Sequence, residues 1–287
     1  MLWLIGASTV VLCVLVGYGA HGGSFHVLWQ PFEFLIIIGS SVGALITASS
    51  RAILSGMMPG LKTLLQGPKY TKESYISLLS ALYSLFRLIK SKGVLVLESH
   101  IESPQESSIF QQFPKLLEDK KVLTFLSDYL RLLTVGTDSP TEIEALFDEE
   151  LQTLHEQMMR VPHMFQQMAE GMPALGIVAA VLGVINTMGS ISEPPEVLGH
   201  LIGAALVGTF LGVLLSYGFI GPIASGIKTI YVTDLKYFEA IKIGLLAHLH
   251  GYPPAISVEF ARKNIFDEAR PSFYELEEAV SKIPAPT

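Results

Sequence analysis

Residues 171 to 191 read GMPALGIVAAVLGVINTMGSI, an apolar stretch with a proline near its start and no ionisable side chain. Moving an ion across a membrane needs a group that takes up and releases charge, and ionisable residues inside apolar segments mark such paths. The carboxylate nearest to any apolar block is Glu33, which falls at the outer end of one and is expected at the interface rather than as a proton carrier. Thr209, Ser216, Asn186 and Thr187 lie inside apolar blocks and could line a wet path, but none can accept and hold a proton at ordinary pH. By elimination, an ion-carrying acid has to come from another chain. Enzymatic chemistry fares worse. His248 and His250 in HLHG stand at i and i+2 and diverge on a helix, so they make a poor metal pair. There is no HExxH, Walker loop or Gly-x-Ser-x-Gly turn. Cys13, the single cysteine, leaves no intramolecular disulfide and no cysteine metal cluster.

The elements that carry these residues are membrane helices. Half of the 287 residues are hydrophobic and only 16% are charged, with a mean hydropathy of +0.47, too apolar for an ordinary soluble protein. The apolar residues gather into four blocks, at about 2 to 20, 32 to 49, 171 to 191 and 200 to 222, each near the ~20 residues a spanning helix needs. The first lacks a basic leader and a small-residue cleavage site, so it is expected to be a retained span. All nineteen Lys and Arg fall in residues 51–169 and 226–287. Basic residues favour the cytoplasmic side, so both termini and the insert between the second and third spans are expected there. The connectors HGGSFHVLWQP and SEPPEVLGH then face outward, and Trp3 and Trp29 sit near the interfaces.

The expected fold is therefore an all-α integral membrane protein of four transmembrane helices, with a large helical cytoplasmic domain between the second and third. Its segments are 1–50 (spans one and two), 51–169 (cytoplasmic helical domain), 170–225 (spans three and four) and 226–287 (cytoplasmic C-terminal helices). In the insert, Tyr75, Leu78, Leu79, Leu82, Leu85, Phe86 and Ile89 keep a helical period, with Thr71 as N-cap and Gly93 as stop. KVLTFLSDYLRLLTVG forms a second helix, and SPTE opens a third that is expected to run toward the third span, capped by Ser139 with Pro140 in its first turn and Glu142 completing the box. Span three is rich in glycine and alanine, and span four carries the small-xxx-small pairs Gly199/Gly203 and Gly208/Gly212. Packing within the chain and a surface for further helices are both open. Pro173 and Pro222 permit kinks within or at the edge of spans.

At this point the sequence resembles the MotA subunits of the bacterial flagellar stator. The resemblance runs in order through QPFEFLIIIG, KYTKESYISLLSALYSL, LESHIESPQESSIF, DYLRLL, EIEALFDEEL, MPALGIVAAVLGVI, LVGTFLGVLLSYGFIGP, HGYPPAISVEF and ARPSFYELEE. It implies five copies of this subunit around two MotB subunits, each MotB bringing the membrane aspartate that binds the ion. It further implies that ion flow rotates the ring and that its cytoplasmic helices push the rotor protein FliG. The implied setting is the bacterial inner membrane, with lipid as the surrounding contact, no cofactor, no enzymatic activity and no nucleic acid partner.

Carried over position by position, the resemblance assigns the rotor-facing charges to Lys90 and Glu98, with Glu150 as a further cytoplasmic acid. Lys90 stands where the family usually has arginine, keeping the charge and losing the planar fork. Pro173 and Pro222 match the prolines implied to couple ion binding to motion. Thr209 matches the threonine facing the partner's aspartate, and Ala180 a position that sodium-driven relatives fill with threonine. That alanine favours protons over sodium as the transported ion. Two readings stand beside this one, an ExbB/TolQ-like ion-driven force transducer of the cell envelope and a sodium-driven PomA-type stator. The four spans and the RPSFYELEE tail argue against the first.

Overall fold

The computed structural model describes residues 2–136 and 139–284, and every regular element among them is a helix. Four helical stretches are long and apolar enough to cross a membrane: Trp3–Ala20, Phe25–Ala48, Pro140–Met188 and Pro195–Leu249. The third and fourth do not stop where the apolar blocks stop. Pro140–Met188 is one helix of 49 residues that begins at SPTE and contains both Pro162 and Pro173. The third insert helix and span three are thus a single element. Each proline removes one backbone bond, and the bonds on either side keep the helix continuous. Pro195–Leu215, a π turn at Ser216–Ile220 and Gly221–Leu249 likewise follow one another without a break.

The chain forms two compact units, one made of the residues up to Gly67 with Met158–Ile230, the other of Pro68–Gln157 with the residues from Tyr231 onward. These divisions differ from the expected boundaries, because the helix Met57–Gln66 groups with the spans. Glycine makes that grouping possible: a Cβ on Gly226 would stand 2.5 Å from Leu64 Cδ1, and one on Gly56 would stand 2.8 Å from Val161 Cγ2. One core cluster of this unit is Ile37, Met172, Ala179, Val207 and Leu211, drawn from spans two, three and four.

In the second unit Tyr75, Leu78, Leu79, Leu82, Leu85 and Phe86 of the helix Lys72–Lys92 are buried, as the helical period requires, while Ile89 is half-buried. Thr71 and Ser74 cap its start reciprocally, and Gly93 ends it at φ +85°, a region that disfavours any side chain with a Cβ. The helix Lys120–Val135 is capped by Asp119 and closed by Gly136. Its Phe125 and Tyr129 pack on Phe147 of the long helix, and Phe125 also meets Phe238 edge-on at 5.2 Å. Ser139 accepts from Glu142 N at 3.4 Å, one arm of the expected capping box.

The ARPSFYELEE tail is held by a buried arginine. Arg262, 6% exposed, grips Glu259 with two nitrogens at 2.6 Å and donates through Nη1 to the Pro271 carbonyl at 2.9 Å. That bond fixes the chain just before Ser272 and Glu275 cap the helix Phe273–Ser281.

Candidate functional site

Spans three and four meet through glycine. A Cβ on Gly212 would stand 2.7 Å from the Met172 carbonyl oxygen and 2.8 Å from Gly176 Cα, and one on Gly176 would stand 2.8 Å from the Gly208 carbonyl oxygen. Backbone touches backbone here, as small residues allow between membrane helices. The Gly208/Gly212 pair therefore serves packing within this chain. Gly199 has open space around its Cα direction, and Gly203 comes no nearer than 4.0 Å to Val27.

Beside this crossing lie some of the residues singled out from the sequence. A Cβ on Gly208 would lie 3.0 Å from both Ala179 Cβ and Ala180 N, so buried Ala180 sits on the turn of span four that holds Gly208 and Thr209. Thr209 is half-buried. Pro173 lies on span three one turn before Gly176, and Pro222 is exposed at the end of the π turn. Asn186 is exposed, and buried Thr187 spends its hydroxyl on the Gly183 carbonyl of its own helix at 2.9 Å, so neither joins this group. Ser216 donates to the Ala169 carbonyl of span three at 2.6 Å, a contact nothing in the local sequence announced.

Glu33 is more enclosed by neighbouring helices than its place in the sequence shows. Its side chain is only partly exposed, Oε2 is shut off from solvent without a hydrogen-bond partner, and a Cβ on Gly208 would stand 2.8 Å from that oxygen. Oε1 lies 3.6 Å from the corresponding point on Gly183. The two glycines leave a recess between spans three and four, and the carboxylate folds into it. The chain thus holds an acid of its own beside Gly183 and Gly208.

The charges assigned to the rotor surface lie in the second unit. Lys90 ends the helix Lys72–Lys92 and Glu98 opens the helix Leu97–Glu102 beyond the Gly93 turn. Both are exposed, and neither is in an ion pair among the described residues. Glu150 differs. It is half-buried and accepts from the Tyr129 hydroxyl at 2.8 Å, which together with burial raises the phenol's pKa. Glu150 also borders a cavity of about 350 Å³ with Lys120, Lys121 and Thr124. It is a structural acceptor as much as a surface charge. His248 stacks its ring on Phe86 at 4.4 Å; burial, and then the positive charge of Lys90, push its pKa down.

A buried node that sequence reading missed lies at Asp234. This carboxylate, 7% exposed, accepts from Lys69 N at 2.8 Å and Tyr70 N at 3.4 Å, and burial raises its pKa despite those bonds. Tyr70 stacks on Tyr237 at 3.9 Å and donates its hydroxyl to Asp119 at 2.9 Å. Burial opposes ionisation of Asp119, but the ammonium of Lys69 at 2.7 Å and the Tyr70 hydroxyl outweigh it and lower its pKa. The signal available in the sequence was an acid inside an otherwise mostly apolar and aromatic helical run, YVTDLKYF.

Comparison with known proteins places this geometry. Residues 4–93 match the family model Motility protein A N-terminal, and residues 117–239 match the MotA/TolQ/ExbB proton channel family. The chain is similar to Motility protein A of Escherichia coli (strain K12), 43% identical over the whole chain and 97% of that protein. It is 34% identical to Chemotaxis protein LafT of Vibrio parahaemolyticus over 95% of this chain and 96% of that one. Among solved structures, the flagellar MotAB stator complex from Bacillus subtilis matches with a TM-score of 0.69 and 26% identity over 89% of this chain and 92% of that one. The C. jejuni MotAB structure shares the fold, with a TM-score of 0.75 at 20% identity over 94% and 98%. With both family models matched and 43% identity to a relative from end to end, this chain belongs to the Motility protein A family.

Proposed function

We propose that the chain is a stator subunit of the flagellar motor which, with a MotB-type partner, forms a proton channel and converts ion-motive force into torque on the rotor protein FliG. The observation that carries this reading is the full-length similarity to Motility protein A, with the approach of Glu33 and Ala180 to the glycine crossing beside it. The complex holds five copies of this chain around two partner subunits in the inner membrane. Its topology is four spans with both termini cytoplasmic, which the confinement of all nineteen Lys and Arg to residues 51–169 and 226–287 supports.

In this reading the ion binds the partner's membrane aspartate, facing Thr209 and Ala180. Each binding event shifts spans three and four about Pro173 and Pro222, where missing backbone bonds make bending cheap. The motion reaches the second unit through the long helices that continue spans three and four, and Lys90 and Glu98 present its charge to the rotor.

Expression together with the partner subunit, in a bacterium lacking its own stator proteins, tests this. Restored flagellar rotation that stops when the partner's membrane aspartate becomes asparagine is the expected result. A complex that assembles and conducts ions without turning the motor would overturn the torque assignment in favour of an envelope force transducer.

A further inference from the structure

Ser216 is bonded to the backbone at both proline sites. In an α-helix the amide at position i donates to the carbonyl at i−4, so Pro173, having no amide hydrogen, orphans the carbonyl of Ala169. That oxygen is the one the Ser216 hydroxyl holds, at 2.6 Å, in a site where Ser216 is 2% and Ala169 3% exposed. A helical serine ordinarily turns its hydroxyl back to the carbonyl four residues before it. Here the Ser216 amide stays in its own helix, donating to Gly212, while the hydroxyl crosses to span three. Ser216 also opens the π turn Ser216–Ile220, and its carbonyl accepts the Gly221 amide, the last backbone donor before Pro222. The widened turn is where span four accommodates its own proline, and π turns of this kind recur at functional sites.

We propose that Ser216 is a latch that ties the two proline bends together, a positioning residue rather than a group on the ion path. Its hydroxyl reads the carbonyl freed by Pro173 and its carbonyl anchors the turn that precedes Pro222. A change of bend in span three, which moves the Ala169 oxygen, is thereby transmitted to the turn before Pro222 without passing through side-chain packing alone. A hydrogen bond at this point can break and reform as the bend changes, which a packed methyl cannot do. The inference rests on the stator reading for its functional part; the bond itself does not.

Two measurements separate those parts. In the first, the full chain with its partner subunit is purified in detergent and its thermal unfolding is compared for wild type, Ser216→Ala, Pro173→Ala, and both together. Alanine at 173 returns an amide to the Ala169 carbonyl, so Ser216→Ala should lower the midpoint clearly in the wild-type background and hardly at all beside Pro173→Ala. Equal losses in both backgrounds would overturn the latch, because the hydroxyl would then be stabilising something other than the proline-freed carbonyl. In the second, motors carrying fluorescent stators are compared at high load for Ser216→Ala and Ser216→Cys, the latter keeping a weaker donor. Torque per assembled unit should fall severalfold in the alanine variant and less in the cysteine variant. Wild-type torque per unit from the alanine variant would overturn the coupling role. If the wild-type chain turns no motor, the stator reading fails while the thermal cycle still decides the bond.

Discussion

Charge, more than any single bond, is what Lys90 and Glu98 bring to the surface of the second unit. Both are exposed, and exposed ion pairs contribute about 0 to 1 kcal/mol each, so recognition by such residues depends on their sum and sign. Reversing both, Lys90→Glu with Glu98→Lys, should impair motility strongly while leaving the amount of chain in the membrane unchanged. Normal swimming by the double reversal, read beside an immunoblot of membranes, would remove these residues from the rotor surface. Glu150 is a poorer probe, since replacing it also deprives Tyr129 of its acceptor. Two partly or fully buried carboxylates, Asp119 and Asp234, should respond to pH with opposite sign. Asp119 has a lowered pKa, so its contribution to stability is present above the ordinary carboxylate range and is lost as pH falls through its folded value. Asp234 has a raised pKa, so its contribution is present at low pH and is lost as pH rises through that value. Asp119→Asn should therefore cost stability at pH 7 and little near pH 3, whereas Asp234→Asn, which keeps an acceptor for Lys69 and Tyr70, should cost little at pH 7. Thermal unfolding of the detergent-solubilised chain across that range checks both, and equal losses at both pH values would contradict the assignment.

Among the elements, the crossing of spans three and four tolerates least. A methyl group added at Gly212 meets the Met172 carbonyl and Gly176 Cα, both backbone atoms that cannot rotate away, whereas Gly199 has nothing within 4 Å. Overpacking of this kind costs about 1–3 kcal/mol. Gly212→Ala should thus lower the thermal midpoint and the yield of assembled complex, and Gly199→Ala should behave as wild type; the reverse order would mean that the helices do not cross there. Pro173 tests a different property of the same helix. Leucine restores an amide and straightens the turn, so Pro173→Leu should keep the complex assembled yet slow or stop the motor. Unaltered speed at high load would make the proline a packing feature only. Element boundaries were legible where a local signal ends a helix, as at Thr71 and Gly93. They were not legible at Pro162 and Pro173, because a proline inside a long helix and a proline that ends one look alike until the flanking bonds are known.

For the molecule as a whole, the identity of the ion follows from how many oxygens the path can assemble. Dehydrated sodium needs several ligands at once, while a proton needs one titratable group and water to reach it. Ala180 offers no hydroxyl beside Gly208, Thr209 supplies one, and Thr187 has committed its own to Gly183. Protons are the expected coupling ion. Motor speed should be indifferent to replacing sodium with potassium at fixed pH and should collapse with a proton uncoupler; speed that follows sodium and survives the uncoupler would reverse the assignment. Glu33, folded into the recess between Gly183 and Gly208, adds an acid to this environment.

What the sequence determined by itself is what depends on neighbours along the chain. Apolar blocks of spanning length, the helical period of Tyr75 to Phe86, the caps at Thr71 and Ser139, and the ordered motifs that reveal the family all lie within a few turns of helix, where spacing translates directly into geometry. Tertiary structure decided the contacts that join distant residues. Ser216 reaches Ala169 across 47 positions and Asp234 reaches Lys69 across 165. Glu33 finds its recess only because glycines on two other helices come to stand opposite it. No periodicity encodes such meetings: a serine or an acid on a helix face is compatible with lipid, water or another helix, and which one it meets is settled by how closely the backbones approach.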